Sequence, residues 1–171
     1  MNEQSAGATE AGRALPADSI MTMSGLDFIR AIKEGAHPPP PMALLVGFAI
    51  ADAEEGRVVF VGTPTEKHLN PMGVVHGGYA ATLLDSCMTC AVQSALKPGF
   101  AATTLDLVIH FTKAATPQSG ELRAEGKTVH VGRQFATAEG RLTDGKGRII
   151  AHATTSCLVF PARPEKTPPA A

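Results

Sequence analysis

Apolar and polar positions change period several times along this chain, and each change predicts an element. Residues 1–19 and 161–171 show no apolar period and are rich in Ala, Gly, Ser, Pro and charge, which predicts loose tails. After Ser24, a residue type that caps helices, Leu26, Ile29 and Ile32 recur at helical spacing and predict a helix over 25–33. The four prolines of 38–41 end it, because they lack amide donors and favour a stiff, extended connection across the body of the domain. Two apolar runs, 43–50 and 57–62, flank the turn-like Asp52-Ala53-Glu54-Glu55-Gly56 and predict a hairpin. Residues 63–75 carry Pro64, Asn70, Pro71 and Gly73 without periodicity and predict a long irregular loop, a feature that is often functional inside a compact domain.

Residues 77–96 contain no proline. Leu83, Leu84, Cys87, Met88, Ala91, Val92 and Ala95 give them a broad apolar surface at 3.6-residue period, the mark of one long, mostly buried helix closed by Lys97-Pro98-Gly99. Over 104–111 the pattern switches to alternation, Leu105, Leu107, Ile109 and Phe111 against Thr104, Asp106, Val108 and His110, predicting a strand that packs its leucine-bearing face on the helix. Further strands are predicted near 120–130, 134–142 and 148–160, joined by turns at 131–133 and 144–147. Two strands, one central helix and four strands imply an α+β domain in which a curved antiparallel sheet wraps a single helix. Its expected limits are 25–160, with 1–24 and 161–171 as flexible tails.

At 171 residues the chain is sized for one domain, and 44% hydrophobic with 18% charged residues is an ordinary globular composition. Fifteen basic against sixteen acidic residues leave no excess of cations for nucleic acid. Three cysteines without a secreted-type framework, and an N-terminus without a basic-then-apolar layout, predict a reducing, cytoplasmic setting. No apolar run approaches the length of a membrane span, so a soluble protein with no membrane partner is expected.

The chemistry begins on the central helix. Thr82, Asp85, Ser86, Thr89 and Gln93 form one polar stripe on an otherwise apolar cylinder, and Asp85 is its only charge. A carboxylate so placed needs hydrogen bonds or solvent, which a cleft along the stripe would supply, although a helix edge merely reaching the surface gives the same pattern. Upstream stands His68-Leu69-Asn70-Pro71-Met72-Gly73-Val74-Val75-His76-Gly77-Gly78, running into Leu83-Leu84-Asp85. Gly77 and Gly78 fall at a helix N-terminus, where unpaired amides and the helix dipole favour a developing oxyanion.

These residues, followed by Thr104-Leu105-Asp106-Leu107-Val108-Ile109-His110-Phe111, resemble the PaaI-like branch of the hotdog-fold acyl-CoA thioesterases, over about residues 43–160. The resemblance implies that the Gly77 amide polarises the thioester oxygen, with Gly78 beside it, and that Asp85 attacks the carbonyl or activates water. It implies that Asn70 orients the water or the thioester and that His76 braces the loop. One subgroup places a hydroxyl at the position of Thr104 and another at that of Thr89, so both are candidates. Contacts to the CoA nucleotide are implied near 127–133, with Lys127 and Arg133 as cations for its phosphates. The resemblance also implies a homodimer or dimer of dimers with the site shared between subunits, and no cofactor.

Two other functions fit the same fold: a dehydratase or hydratase acting on thioesters, and a non-catalytic acyl-CoA binding protein. A dehydratase would pair a His base with a carboxylate in a different loop pattern, whereas a binding module has no need of a carboxylate that is costly to keep in an apolar helix. Cys87-Met88-Thr89-Cys90 has the form of a metal half-site, but it lies within the apolar helix surface and lacks a second ligand pair at suitable spacing, so no metal is expected. The acyl group is left open.

Overall fold

The computed structural model describes residues 17–162. Of the stretches expected to be loose, 1–16 and 163–171 lie outside the described residues, while Ala17–Thr22, inside the expected N-terminal tail, forms a short helix, α1. Helix α2, Gly25–Lys33, has the predicted limits. Ser24 caps it by accepting a hydrogen bond from the Asp27 amide at 3.1 Å, and its buried face carries Phe28, Ile29 and Ala31.

The next segment corrects the sequence reading. Residues 41–46, expected as the end of a stiff linker and the start of a strand, form helix α3, Pro41–Val46. Pro40 is its N-cap and Pro41 opens it, where a missing N–H costs nothing and the fixed φ suits a helix. Gly47, at φ 76°, ends it in the left-handed region. Only then does β1, Phe48–Glu54, begin, pairing with β2, Arg57–Gly62, across a tight turn at Glu55-Gly56.

The loop between β2 and the central helix is more ordered than its sequence implies. A 3₁₀ turn at Glu66–His68 is closed by reciprocal bonds between Thr65 and His68, and a bridge between Leu69 and Val75 pinches off residues 70–74. Helix α4 then runs over Gly77–Ser94, followed by β3 (Phe100–Phe111), β4 (Leu122–Val131), β5 (Phe135–Thr143) and β6 (Ile149–Pro161). All strand pairs are antiparallel, in the order β1-β2-β4-β5-β6-β3. This is the hotdog arrangement, with α4 lying across the concave face of the sheet. Among the described residues no helix is long and apolar enough to cross a membrane.

Helix and sheet approach closely because the sheet is lined with small residues. Ala124, Ala136, Ala138, Ala151 and Ala153 are buried, and Gly126 and Gly140 face each other across β4 and β5. A Cβ on Gly126 would stand 2.6 Å from the Met88 amide nitrogen, and one on Gly140 would stand 2.9 Å from the Met88 side chain. The backbone of α4 thus rests where side chains would otherwise be, and Leu83, Leu84, Cys87, Met88, Ala91 and Val92 are sealed beneath it.

Strand β3 departs from its predicted face. It starts four residues earlier than expected, and its pairing with β6 shifts register between Thr104 and Asp106, so Leu105 is a bulge residue. One extra residue reverses side-chain parity. Leu107 and Ile109 pack on the core as predicted, but Leu105 is 50% exposed and Phe111 is also exposed, while Thr104 turns to the helix side.

Candidate active site

The polar stripe of α4 exists, and each of Thr82, Asp85, Ser86, Thr89 and Gln93 is half-buried. Much of it is fastened to β3. Gln93 bridges to that strand through its amide, donating to the Phe100 carbonyl at 3.2 Å and accepting from the Ala102 amide at 3.0 Å. Thr104 Oγ1 donates to Asp85 Oδ1 at 2.7 Å, and Thr89 Oγ1 lies 2.7 Å from Thr104 Oγ1. The two threonines that the sequence offered as separate candidates therefore meet in one chain ending on the carboxylate. Asp85 Oδ2 has no hydrogen-bond partner among the described residues. Thr82 turns back to the Gly78 carbonyl at 2.9 Å.

The start of α4 is built by the loop before it. His76 is the N-cap, and its Nδ1 accepts from the Gly78 amide at 2.8 Å. That bond requires the proton of the neutral ring on Nε2. It also occupies the Gly78 N–H, whereas the Gly77 N–H has no partner among the described residues and is the available donor at this helix end. The His76 amide donates to the His68 carbonyl at 2.7 Å and the Val75 amide to the Ala115 carbonyl at 2.8 Å, fixing the approach to the helix. Asn70 Oδ1 accepts from the amides of Met72 at 2.9 Å and Val74 at 3.4 Å, and Gly73 completes the turn at φ 76°.

A cavity of about 330 Å³ opens beside Gly77 among Val75, Ala80, Phe111, Leu122 and Ile150, with Lys113 on its lining. The Phe111 ring covers Gly77 so closely that a Cβ there would stand 3.1 Å from the ring edge. Sequence reasoning did not implicate Phe111. The only signal was its place as the last apolar residue of the strand, which does not reveal what the ring covers.

The two predicted cations separate. Lys127 pairs with Glu125 at 3.0 Å, within a ladder that continues through Arg57 to Asp52. Arg133 instead lines a cleft of about 420 Å³ with Lys97, Leu96, Phe100 and Val131. The cysteines are free. Burial, and secondarily the charge of Asp85, push the Cys90 thiol up to about 12, so it stays protonated and un-nucleophilic at neutral pH.

Residues 72–151 match the family model of the thioesterase superfamily. A 1,4-dihydroxy-2-naphthoyl-CoA hydrolase of Listeria monocytogenes is 25% identical over 61% of this chain and 84% of its own. Among solved structures, a hypothetical thioesterase of Streptococcus pneumoniae with coenzyme A is 30% identical, covers 68% of this chain and 88% of its own, and has a TM-score of 0.62. A phenylacetic acid degradation-related protein of Ralstonia eutropha is 28% identical, covers 77% of this chain and 98% of its own, and has a TM-score of 0.70. The chain belongs to the thioesterase superfamily. The reaction class that membership carries is hydrolysis of a thioester.

Proposed function

We propose that the protein hydrolyses acyl-CoA thioesters, with Asp85 as the reacting carboxylate and the Gly77 amide as the oxyanion donor. The observation that carries this reading is Asp85 itself: the only charge on the α4 stripe, held through one oxygen by Thr104, with the other unpartnered among the described residues. Such an oxygen can take a proton from water or attack the carbonyl directly, while an unpaired N–H at a helix start stabilises the oxyanion. Asn70 and His76 shape the loop that presents Gly77.

Asp85 lies eight helical steps beyond Gly77 on the same helix, about 12 Å along its axis, too far for both to serve one carbonyl. Each site therefore takes Gly77 from one chain and Asp85 from a second copy. The acyl group occupies the apolar cavity under Phe111. The cleft at Lys97 and Arg133, rather than the ion-paired Lys127, receives the anionic nucleotide end of CoA. The coenzyme A carried by the Streptococcus pneumoniae structure supports the substrate class.

The test is a hydrolysis screen across aromatic and aliphatic acyl-CoAs with thiol detection, repeated with Asp85→Asn on the best substrate. The variant is expected to lose about 10²–10⁴-fold in kcat with a far smaller change in KM, and to stay folded by circular dichroism. A folded Asp85→Asn enzyme working at the wild-type rate would remove Asp85 from the chemistry.

A further inference from the structure

The hydroxyl chain behind Asp85 can be read proton by proton. Asp85 Oδ1 and Thr104 Oγ1 are 2.7 Å apart, and an ionised carboxylate brings no proton to that gap, so Thr104 donates. Thr104 has one hydroxyl proton, and this bond uses it. The 2.7 Å contact between Thr104 Oγ1 and Thr89 Oγ1 therefore takes the Thr89 proton, leaving Thr89 only lone pairs. Cys157, paired with Thr104 across β3 and β6, places its sulfur 4.0 Å from Thr89 Oγ1. Burial raises its pKa, so the thiol keeps the S–H that can point at Thr89. All three donors are then oriented the same way, toward the carboxylate, and each polarises the next.

The bulge at Leu105 makes this possible. Without the extra residue, Thr104 would share a face with Asp106 and Val108, away from α4. Bulges beside active sites commonly re-aim one side chain, and here the re-aimed group is the hydroxyl that reaches Asp85.

We propose that Thr89 and Thr104 are positioning residues: a one-way hydroxyl chain, aimed by the β3 bulge, fixes Asp85 through Oδ1 and reserves Oδ2 for the reaction. Neither threonine has a proton left for water or thioester, so neither binds substrate as a donor. The proposal rests on the reading of Asp85 given above.

Kinetics of Thr89→Val, Thr89→Ser, Thr104→Val and the double valine variant test it, with Asp85→Asn measured alongside. Thr89→Val keeps the side-chain shape and deletes the donor; kcat is expected to fall about 10-fold while KM moves less than about twofold, because a mispositioned group costs rate more than binding. Thr89→Ser restores the rate. The double variant is no slower than Thr104→Val alone, since Thr89 acts only through Thr104. A purely structural role would lower melting temperature without this split or this non-additivity, and Thr89→Ala serves in place of Thr89→Val if the latter misfolds. Unchanged kcat in Thr89→Val with Asp85→Asn inactive overturns the chain and leaves Asp85 in place, as do additive losses or a change in KM alone. Wild-type rates in Asp85→Asn overturn both.

Discussion

Gly77 occupies the first helical position of α4, behind a His76 whose ψ of 136° is the extended backbone that also precedes proline. Gly77→Pro therefore deletes the N–H at a backbone position that accepts proline, and its Cβ, like that of Gly77→Ala, pushes on the edge of the Phe111 ring. If this amide is the oxyanion donor, kcat of Gly77→Pro falls about 10²–10³-fold below that of Gly77→Ala, which makes the same Phe111 contact but keeps the N–H, while the two variants melt at similar temperatures. Wild-type kcat in Gly77→Pro would assign the donor elsewhere. At the β5–β6 turn, buried Asp144 accepts from the Lys146 and Arg148 amides and from the Arg148 guanidinium, locking the turn. The guanidinium bond is the main reason its carboxyl is held down to about 2. A pKa below the unfolded value of about 3.9 stabilises the fold at higher pH, and that contribution disappears as pH falls from about 4 through 2. Asp144→Asn should melt earlier than wild type at pH 7, and the two curves should converge near pH 2.

The close seat of α4 on Gly126 and Gly140 makes a demand at the scale of elements. Gly126→Ala drives a methyl into the backbone at Cys87 and Met88, where no side chain can rotate away. A loss of about 1–3 kcal/mol or more in denaturant unfolding is expected, and a neutral effect would mean that the helix can lift off the sheet. Elements whose signals are local were legible in the sequence. Helix α2 has Ser24 and its period; α4 has its glycine start, its period and a following proline. The short α3 was not legible, because the apolar run after Pro41 suits strand or helix equally and only Pro41 and Gly47, taken together as start and stop, distinguish them. Parity in β3 was not legible because a bulge is defined by the partner strand, and the register of β6 cannot be seen in the sequence of β3 alone. The same gap hid the union of Thr89 with Thr104, although the spacing of Gly77 and Asp85 was plain. The Glu125–Lys127 pair was visible in principle, since alternation puts both on one face of β4.

Across the whole molecule the two sheet edges differ. Near β1 the surface carries Lys33, Asp52, Glu54 and Arg57, joined by ion pairs that continue to Glu125 and Lys127. At the other edge β3 runs for twelve residues without a lysine, arginine or proline, and exposes Leu105, Val108 and Phe111. Protected edges usually carry lysine, other charges or proline, so this one is suited to pairing with a second copy. Light scattering is expected to give a dimer or a multiple of it, and a monomer at micromolar concentration would contradict the shared site. If each site spans two chains, activity belongs to pairs and two defects can cancel. Gly77→Pro and Asp85→Asn spoil opposite halves of a site. Dissociated and reassembled together, about half of the dimers would be mixed, and each mixed dimer would hold one doubly defective site and one intact site. Two inactive preparations would thus recover about one quarter of wild-type activity on mixing, a complementation that no site confined to a single chain could produce.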